Sequence, residues 1–213
     1  MNNMILALYK KLLETNDVED ITVISSYNIG ENGCDKLNQM LQPIANPISL
    51  TSDKFIKIAQ DKLEIRYYIG DIVIQNSNNY KARLFLGNDK TREETFVPNG
   101  TQGRVVDIID NDLIISFENE LVYYSVDEVR QIKHSFALST HKMQGSQNKI
   151  IIFCCPSSHI FFLSNNIVYT AISRAEEKVF HFSDVKTINT AMNKSDGNKR
   201  NAFLGDMLNE VIQ

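Results

Sequence analysis

The run Lys149–Pro156, KIIIFCCP, constrains this chain more than any other stretch. It is short, apolar and bounded on both sides by polar residues, the pattern of a parallel strand buried on both faces. Downstream, NIVYTAISRAEEKV (166–179) places Ile167, Val168, Ala171, Ile172 and Ala175 at i, i+1, i+4, i+5 and i+8. That spacing predicts a helix with one buried stripe, and it sets Thr170 and Arg174 together on a different face. KVFHFS (178–183) then reads as the next strand. Strand, helix and strand at these lengths define an α/β domain with a parallel sheet.

The turn ahead of the first strand, Thr140-His141-Lys142-Met143-Gln144-Gly145-Ser146, offers hydroxyls, a cation, an amide and a glycine. Such a turn lets backbone N–H groups approach an anion closely. Arg174 is a suitable group for stabilising charge on a transferring phosphoryl group. Each has a plainer reading. His141 alone is more often a structural histidine, Lys142 a solvated charge, and Arg174 the partner of Glu177 on an exposed helix, worth only a few tenths of a kcal/mol.

The chain opens with a helical pattern over Met4–Glu14, followed by the β-branched run ITVIS (21–25). The turn Tyr27–Gly33 carries Gly30 and Gly33 and leads into a helix marked by Leu37, Met40 and Leu41. A Gly-x-x-Gly turn before a helix can hold phosphate but is more often a tight connection. Residues 43–62 read as loop and short helix.

From Tyr67 to Lys133 the pattern changes to short strands, DIVIQ (71–75), TQGRVVDII (101–109), LIISF (113–117) and ELVYYSV (120–126), with turns at Asp110–Asp112 and Asn119. Close-set strands without helical period predict a small barrel. Residues 67–134 carry seven Lys+Arg against eleven Asp+Glu, a net of −4, and the rest of the chain is balanced, so the insertion holds the whole net charge of −4. A protein gripping nucleic acid by electrostatics alone is basic, which makes any DNA contact here local. One such locality is residues 78–92, where Lys81, Arg83, Lys90 and Arg92 face only Asp89, with Tyr80 available to stack and Asn78 and Asn79 beside it.

Cys34, Cys154 and Cys155 have no zinc spacing and read as buried free thiols of a cytoplasmic protein. No apolar run reaches membrane-spanning length and no signal-peptide pattern opens the chain. His134, His159 and His181 are too scattered for a metal site. Val185–Met192 and AFLGDMLNEVI (202–212) read as closing helices around the loop 195–200.

THKMQGS (140–146) resembles motif V of superfamily 1 helicases, and VYTAISRA (168–175) resembles motif VI. The closest resemblance is to the C-terminal half of RecD-like DNA helicases. Leu37-Asn38…Leu41-Gln42 resembles the helix after motif IV, while GD.V.Q..NNY (70–80) and NG..G (99–103) resemble the SH3-like insertion of that group. The resemblance implies a second RecA-like domain, discontinuous over 1–66 and 134–213, interrupted by an SH3-like β-barrel at 67–133. It implies that Arg174 is the catalytic arginine finger, that Gln144, Gly145, Gly30 and Arg174 meet ATP, and that Thr140, His141, Asn79, Tyr80 and Lys81 meet single-stranded DNA. Basic residues usually precede the first glycine of motif IV; Asn28 and Ile29 stand there here. An acidic residue commonly follows the Gly-Ser pair of motif V; here it is Gln147.

No GxxxxGK[ST] occurs in the 213 residues, so the loop that cradles the β- and γ-phosphates is not among them. The resemblance therefore implies ATP with Mg²⁺ only in an intact 5′-to-3′ helicase acting on single-stranded and duplex DNA. The chain alone is expected to bind no cofactor and to be inactive without an N-terminal P-loop RecA-like domain. The alternatives are a non-catalytic module binding single-stranded DNA or protein, and a subunit completed in trans by a P-loop protein.

Overall fold

The computed structural model describes residues 1–60, 63–86, 93–118 and 120–194. The expected ribbon residues Lys90 and Arg92, the turn at Asn119 and the helix at 202–212 lie outside them. In chain order, α1 (Asn2–Leu12), β1 (Ile21–Ser25) and α2 (Cys34–Ala45) come first, then the hairpin β2 (Ile56–Gln60) and β3 (Leu63–Tyr67). Next are β4 (Ile72–Gln75), β5 (Asn79–Leu84), β6 (Glu94–Val97), β7 (Gln102–Ile109), β8 (Asp112–Phe117), β9 (Glu120–Tyr124) and β10 (Ile132–His134). The chain continues with β11 (Ala137–Ser139), β12 (Asn148–Cys154), α3 (Asn165–Ile172), β13 (Ala175–Phe182) and α4 (Val185–Asn193).

Strands β11, β1, β12 and β13 form, in that order, a four-stranded parallel sheet. Alternate side chains leave it on opposite faces. Ile21, Val23, Ile150 and Ile152 meet Ile5 and Tyr9 of α1 and Leu37 and Leu41 of α2. Ile24, Ile151 and Phe153 meet Val168 and Ala171 of α3 and Ala191 of α4. Helices thus cover both faces, which is why KIIIFC shows no polar alternation.

The second layer is a seven-stranded antiparallel sheet, β10-β4-β7-β8-β9-β5-β6. Its hairpin at Asp110 and Asn111 has φ of 49° and 67°, the left-handed backbone that short polar residues tolerate. The sheet's own core includes Val73, Val105, Leu113, Ile115, Val122 and Tyr124. Strand β4 is a shared wall. Val73 joins that core, whereas Ile72 and Ile74 point into the two cores of the parallel sheet.

The stretch expected as loop and short helix (43–62) contains a 3₁₀ turn, Pro47–Leu50, and most of a hairpin. Ile56, Ile58 and Tyr67 from that hairpin belong to the antiparallel core, so its apolar alternation, not helical spacing, is what the packing uses. Strands β5, β6 and β10 also form where the sequence showed no clean alternation.

One polar stripe on α2 joins the two layers. The Asn38 side chain donates to the Ala137 carbonyl (2.9 Å) and accepts from its N–H (2.8 Å), completing the open edge of β11. One turn on, Gln42 Nε2 donates to Asp71 Oδ2 (2.6 Å), and after another turn Asn46 Nδ2 donates to Asp71 Oδ1 (2.7 Å). Asp71 is fully buried, accepts from Tyr68 N–H (2.9 Å) and lies 3.1 Å from His134 Nε2. Spacing of four residues puts the Asn38 and Gln42 amides on one face of the helix, and Asn46, which caps it, continues the row.

Candidate functional site

Residues 140–147 leave the C-terminal end of β11 and return to the N-terminal end of β12. Met143, fully buried, pins the turn, with Met143 N–H donating to Ser139 O at 3.1 Å and Ser146 N–H to Met143 O at 3.2 Å. Gly145 has φ of +88° and open space where a Cβ would stand, so its backbone faces solvent in a conformation other residues avoid. Gln144 and His141 are exposed.

Arg174 does not share a helix face with Thr170. Helix α3 ends at Ile172, Ser173 and Arg174 form the turn, and Ala175 already belongs to β13. The sheet decides this, because the Arg174 carbonyl accepts from Asn148 N–H at 2.9 Å. The Arg174 guanidinium donates to Ser146 O (3.3 Å) and Ser173 Oγ (3.2 Å), and its Nε is buried without a partner among the described residues. No carboxylate lies within ion-pair distance of it among the described residues, so the plain pairing with Glu177 does not form. Arg174, Gln144 and Gly145 therefore stand together at the N-terminal edge of the parallel sheet.

Gly30 does not join them. It follows β1 at the opposite, C-terminal edge, roughly 15 Å away along strands that rise ~3.3 Å per residue. Its φ of +100° serves the turn itself, where Gly33 N–H donates to Gly30 O at 3.0 Å. Gly33 is the more constrained glycine, since a Cβ there would come within 2.5 Å of Asn28 O.

Two clefts border the 140–147 turn. One, of about 440 Å³, lies between the C-terminal edge of the parallel sheet and the antiparallel sheet, lined by Ser26, Asn28, Asn76, Asn99, His141 and Lys142. The other, of about 700 Å³ and wide open, is lined by Asn99, Gly100, Lys142, Gln144, Gly145 and Ser146. Of the pair expected on DNA, His141 presents its side chain to both clefts. Thr140 is 3% exposed, its N–H donates to Ser25 O (3.2 Å) and its hydroxyl has no partner among the described residues. Lys142 stands between the clefts, with burial of its ammonium, aided by Lys133, lowering its pKa.

Asn79, Tyr80 and Lys81 lie on β5, away from Arg174. Tyr80 is 69% exposed and stacks on Phe96 of β6 with ring centroids 4.9 Å apart and planes 16° off parallel. Phe96 is itself 48% exposed and was not visible as a site residue in the run ETFV. Lys81 is exposed beside the pair, and Asn79 Oδ1 accepts from Lys81 N–H at 3.2 Å. Arg83 is not a free cation: it pairs with Glu128 at 2.6 Å and lies over the Tyr123 ring. The three thiols are free and buried, and burial raises them to about 12 (Cys34, Cys154) and about 11 (Cys155). They are inert packing groups.

A parallel sheet clad by helices on both faces matches RecA-like helicase domains. The comparisons agree. The family described as UvrD-like helicase C-terminal domain matches residues 134–180. The ATP-dependent RecD2 DNA helicase of Deinococcus radiodurans is 28% identical over 160 residues, 75% of this chain and 19% of that protein. The RecBCD enzyme subunit RecD of Haemophilus influenzae is 23% identical over 204 residues, 93% of this chain and 26% of that protein. In structure, the Pif1 helicase from Bacteroides, solved in complex with ADP-AlF3 and ssDNA, matches with a TM-score of 0.50 at 15% identity. That match covers 97% of this chain and 49% of that one, and it speaks to the fold. The chain is similar to RecD-like superfamily 1 DNA helicases and, over residues 134–180, to the C-terminal domain of UvrD-like ones, and it spans about a fifth to a quarter of the length of these two relatives.

Proposed function

We propose that this chain is the second RecA-like half of an ATP-dependent, 5′-to-3′ DNA helicase. Residues 1–66 and 134–213 form that domain, and 67–133 form an SH3-like insertion against which the 56–67 hairpin packs. Arg174 is the arginine finger, and Gln144 and Gly145 border the nucleotide. His141 and Thr140 sit at the DNA side of the same turn. Mg²⁺ and the β- and γ-phosphates are left to a P-loop half, so the chain alone does not turn over ATP. One observation carries this reading: a guanidinium without a carboxylate partner among the described residues, held by Ser146 O beside the open backbone of Gly145. A positioned, uncompensated cation is what stabilises charge on a transferring phosphoryl group.

In the intact enzyme, Arg174→Ala lowers ATP turnover by about a thousandfold or more, the scale of an arginine finger, with single-stranded DNA binding unchanged. Equal loss of both activities makes the arginine structural and sinks the assignment. The stacked, exposed Tyr80–Phe96 pair favours a second reading, a single-stranded DNA binding module in its own right. Titration of the chain with oligothymidylate at low and high salt separates the two. Micromolar or tighter binding with a steep salt dependence supports the module; weak binding supports half of a two-part machine.

A further inference from the structure

Lys142 sits in the turn that carries Gly145, yet its ammonium reaches across to the antiparallel layer. It donates to Asn99 Oδ1 (2.5 Å) and to the Asn76 carbonyl (3.4 Å). Asn99 N–H in turn donates to Asn78 Oδ1 (2.9 Å), and Asn78 Nδ2 donates to the Tyr80 hydroxyl (3.0 Å). Asn78 accepts and donates through one amide, whereas Asn99 accepts on its side chain and donates from its backbone, so the hydrogen-bonded chain links the layers mechanically through Asn99. At its far end Tyr80 lies flat on Phe96. Asn99 is itself fixed, in the turn where Gly100 (φ +96°) donates to Gln75 O at 2.9 Å and Thr101 to Pro98 O at 3.2 Å.

We propose that Lys142, Asn99 and Asn78 are positioning residues, a hydrogen-bonded strut by which the 140–147 turn sets the attitude of the Tyr80–Phe96 stacking face. A shift of the turn against Arg174 then tilts the face on which bases stack, with no rearrangement of either hydrophobic core. Lys142 acts as a fixed link between layers, and its cation is not a phosphate ligand. The proposal rests on the reading of Tyr80 as a base-stacking group in one respect only, its consequence for DNA; the strut itself is testable without DNA.

Two measurements on the chain decide it. First, tyrosine ring resonances are recorded by NMR, Tyr80 being assigned through Tyr80→Phe. Lys142→Met and Asn99→Ala each shift the Tyr80 signals, because its ring-current environment over Phe96 changes, while the melting temperature holds. Unmoved Tyr80 signals in folded variants overturn the strut. Second, oligothymidylate binding is measured across a salt series. Asn99→Ala weakens it roughly three- to tenfold, the worth of one hydrogen bond, with the salt slope unchanged. Lys142→Met loses a similar factor, and the double variant is no worse than either single one. A slope reduced by about one with Lys142→Met, and no loss with Asn99→Ala, makes Lys142 a phosphate contact and also overturns the proposal. Shifted Tyr80 signals with Tyr80→Ala leaving affinity intact keep the strut and refute the DNA reading instead.

Discussion

Replacing Asp71 with alanine tests whether the two layers are held by one buried carboxylate. Asp71 is fully buried, and three donors converge on it, Tyr68 N–H, Gln42 Nε2 and Asn46 Nδ2, with His134 Nε2 beside them, at 2.6–3.1 Å. Removing the acceptor leaves Tyr68 N–H unpaired and His134 Nε2 facing only Gln42 Nε2 (3.2 Å), whereas Gln42 Nε2 keeps Arg66 O (2.8 Å) and Asn46 Nδ2 keeps Ile69 O (2.9 Å). Each unpaired buried donor costs about 1–3 kcal/mol, but loss of the carboxylate also relieves its own desolvation. Taking the low end for these two groups, the variant loses roughly 2 kcal/mol. Against a typical total of about 5–15 kcal/mol that is a substantial share. With a urea slope of about 2 kcal/mol/M, the midpoint falls by about 1 M. The chain has no tryptophan and eight tyrosines, so the assay is urea unfolding followed by far-UV circular dichroism and by tyrosine emission, with Tyr9 buried in one layer and Tyr67 and Tyr124 in the other. Gln42→Ala and Asn46→Ala each remove one donor and cost roughly 1 kcal/mol. A midpoint shift for Asp71→Ala below about 0.25 M, the range of an ordinary surface substitution, refutes the argument.

The buried thiols set an alkaline limit. Cys34, Cys154 and Cys155 rise from 9.0 to about 12, about 12 and about 11, so between pH 9 and those values the folded chain binds more protons than the unfolded one. Stability therefore falls as pH rises above 9, by up to about 1.4 kcal/mol per pH unit for each thiol, which thermal melts from pH 7 to 11 read directly. At pH 8 a thiol reagent leaves the native chain unlabelled and modifies three cysteines in urea. Gly103 and Gly145 separate two kinds of glycine. A Cβ at Gly103 meets Ser116 O at 2.6 Å and the Phe117 ring at 2.7 Å, so Gly103→Ala forces β7 from β8 and costs several times more than Gly145→Ala, whose left-handed backbone costs about 1–2 kcal/mol in open space. Urea midpoints of the two variants give the comparison; equal values contradict it.

The elements built from one dominant period were legible. ITVIS, KIIIFC and LIISF carry their strands in β-branched residues, and the turn at Asp110–Asp112 announces a hairpin. The hairpin of Ile56–Tyr67 does carry an apolar–polar alternation, in Ile56, Ile58, Leu63, Ile65 and Tyr67. What the sequence hid was its place in the fold, because its partners, Val73, Val105 and Tyr124, lie far along the chain. The end of α3 was misplaced for a physical reason: Ala175 continues the helical stripe in sequence, but the parallel bond from Asn148 to Arg174 draws it into the sheet. At the site, Arg174 and Gly145 were legible as residue types. Their proximity was a consequence of where the 140–147 turn returns, and the distance to Gly30 of which end of the sheet a loop leaves. Asp71 entered only as part of GD.V.Q..NNY and His134 only as a scattered histidine; that they bond each other was hidden, since a buried polar network looks in sequence like scattered surface residues.

The partner of each cation explains how an acidic chain can still present one where it is needed. Most of the ion pairs lie at the periphery: Lys54 with Asp107, Lys57 and Arg66 with Glu64, Arg104 with Glu19 and Lys149 with Asp20 are half-exposed and worth little each. They cancel charge over the bulk of the surface. Lys142 and Arg174 have no carboxylate within ion-pair distance among the described residues and are held instead by neutral groups, Asn99 Oδ1 and Asn76 O for one, Ser146 O and Ser173 Oγ for the other. Arg174, oriented by dipoles and not by a carboxylate, keeps its charge for a ligand, whereas Lys142 serves as a link between the layers. Net charge is therefore a poor guide to this chain, and the bonding partner of each cation is a better one.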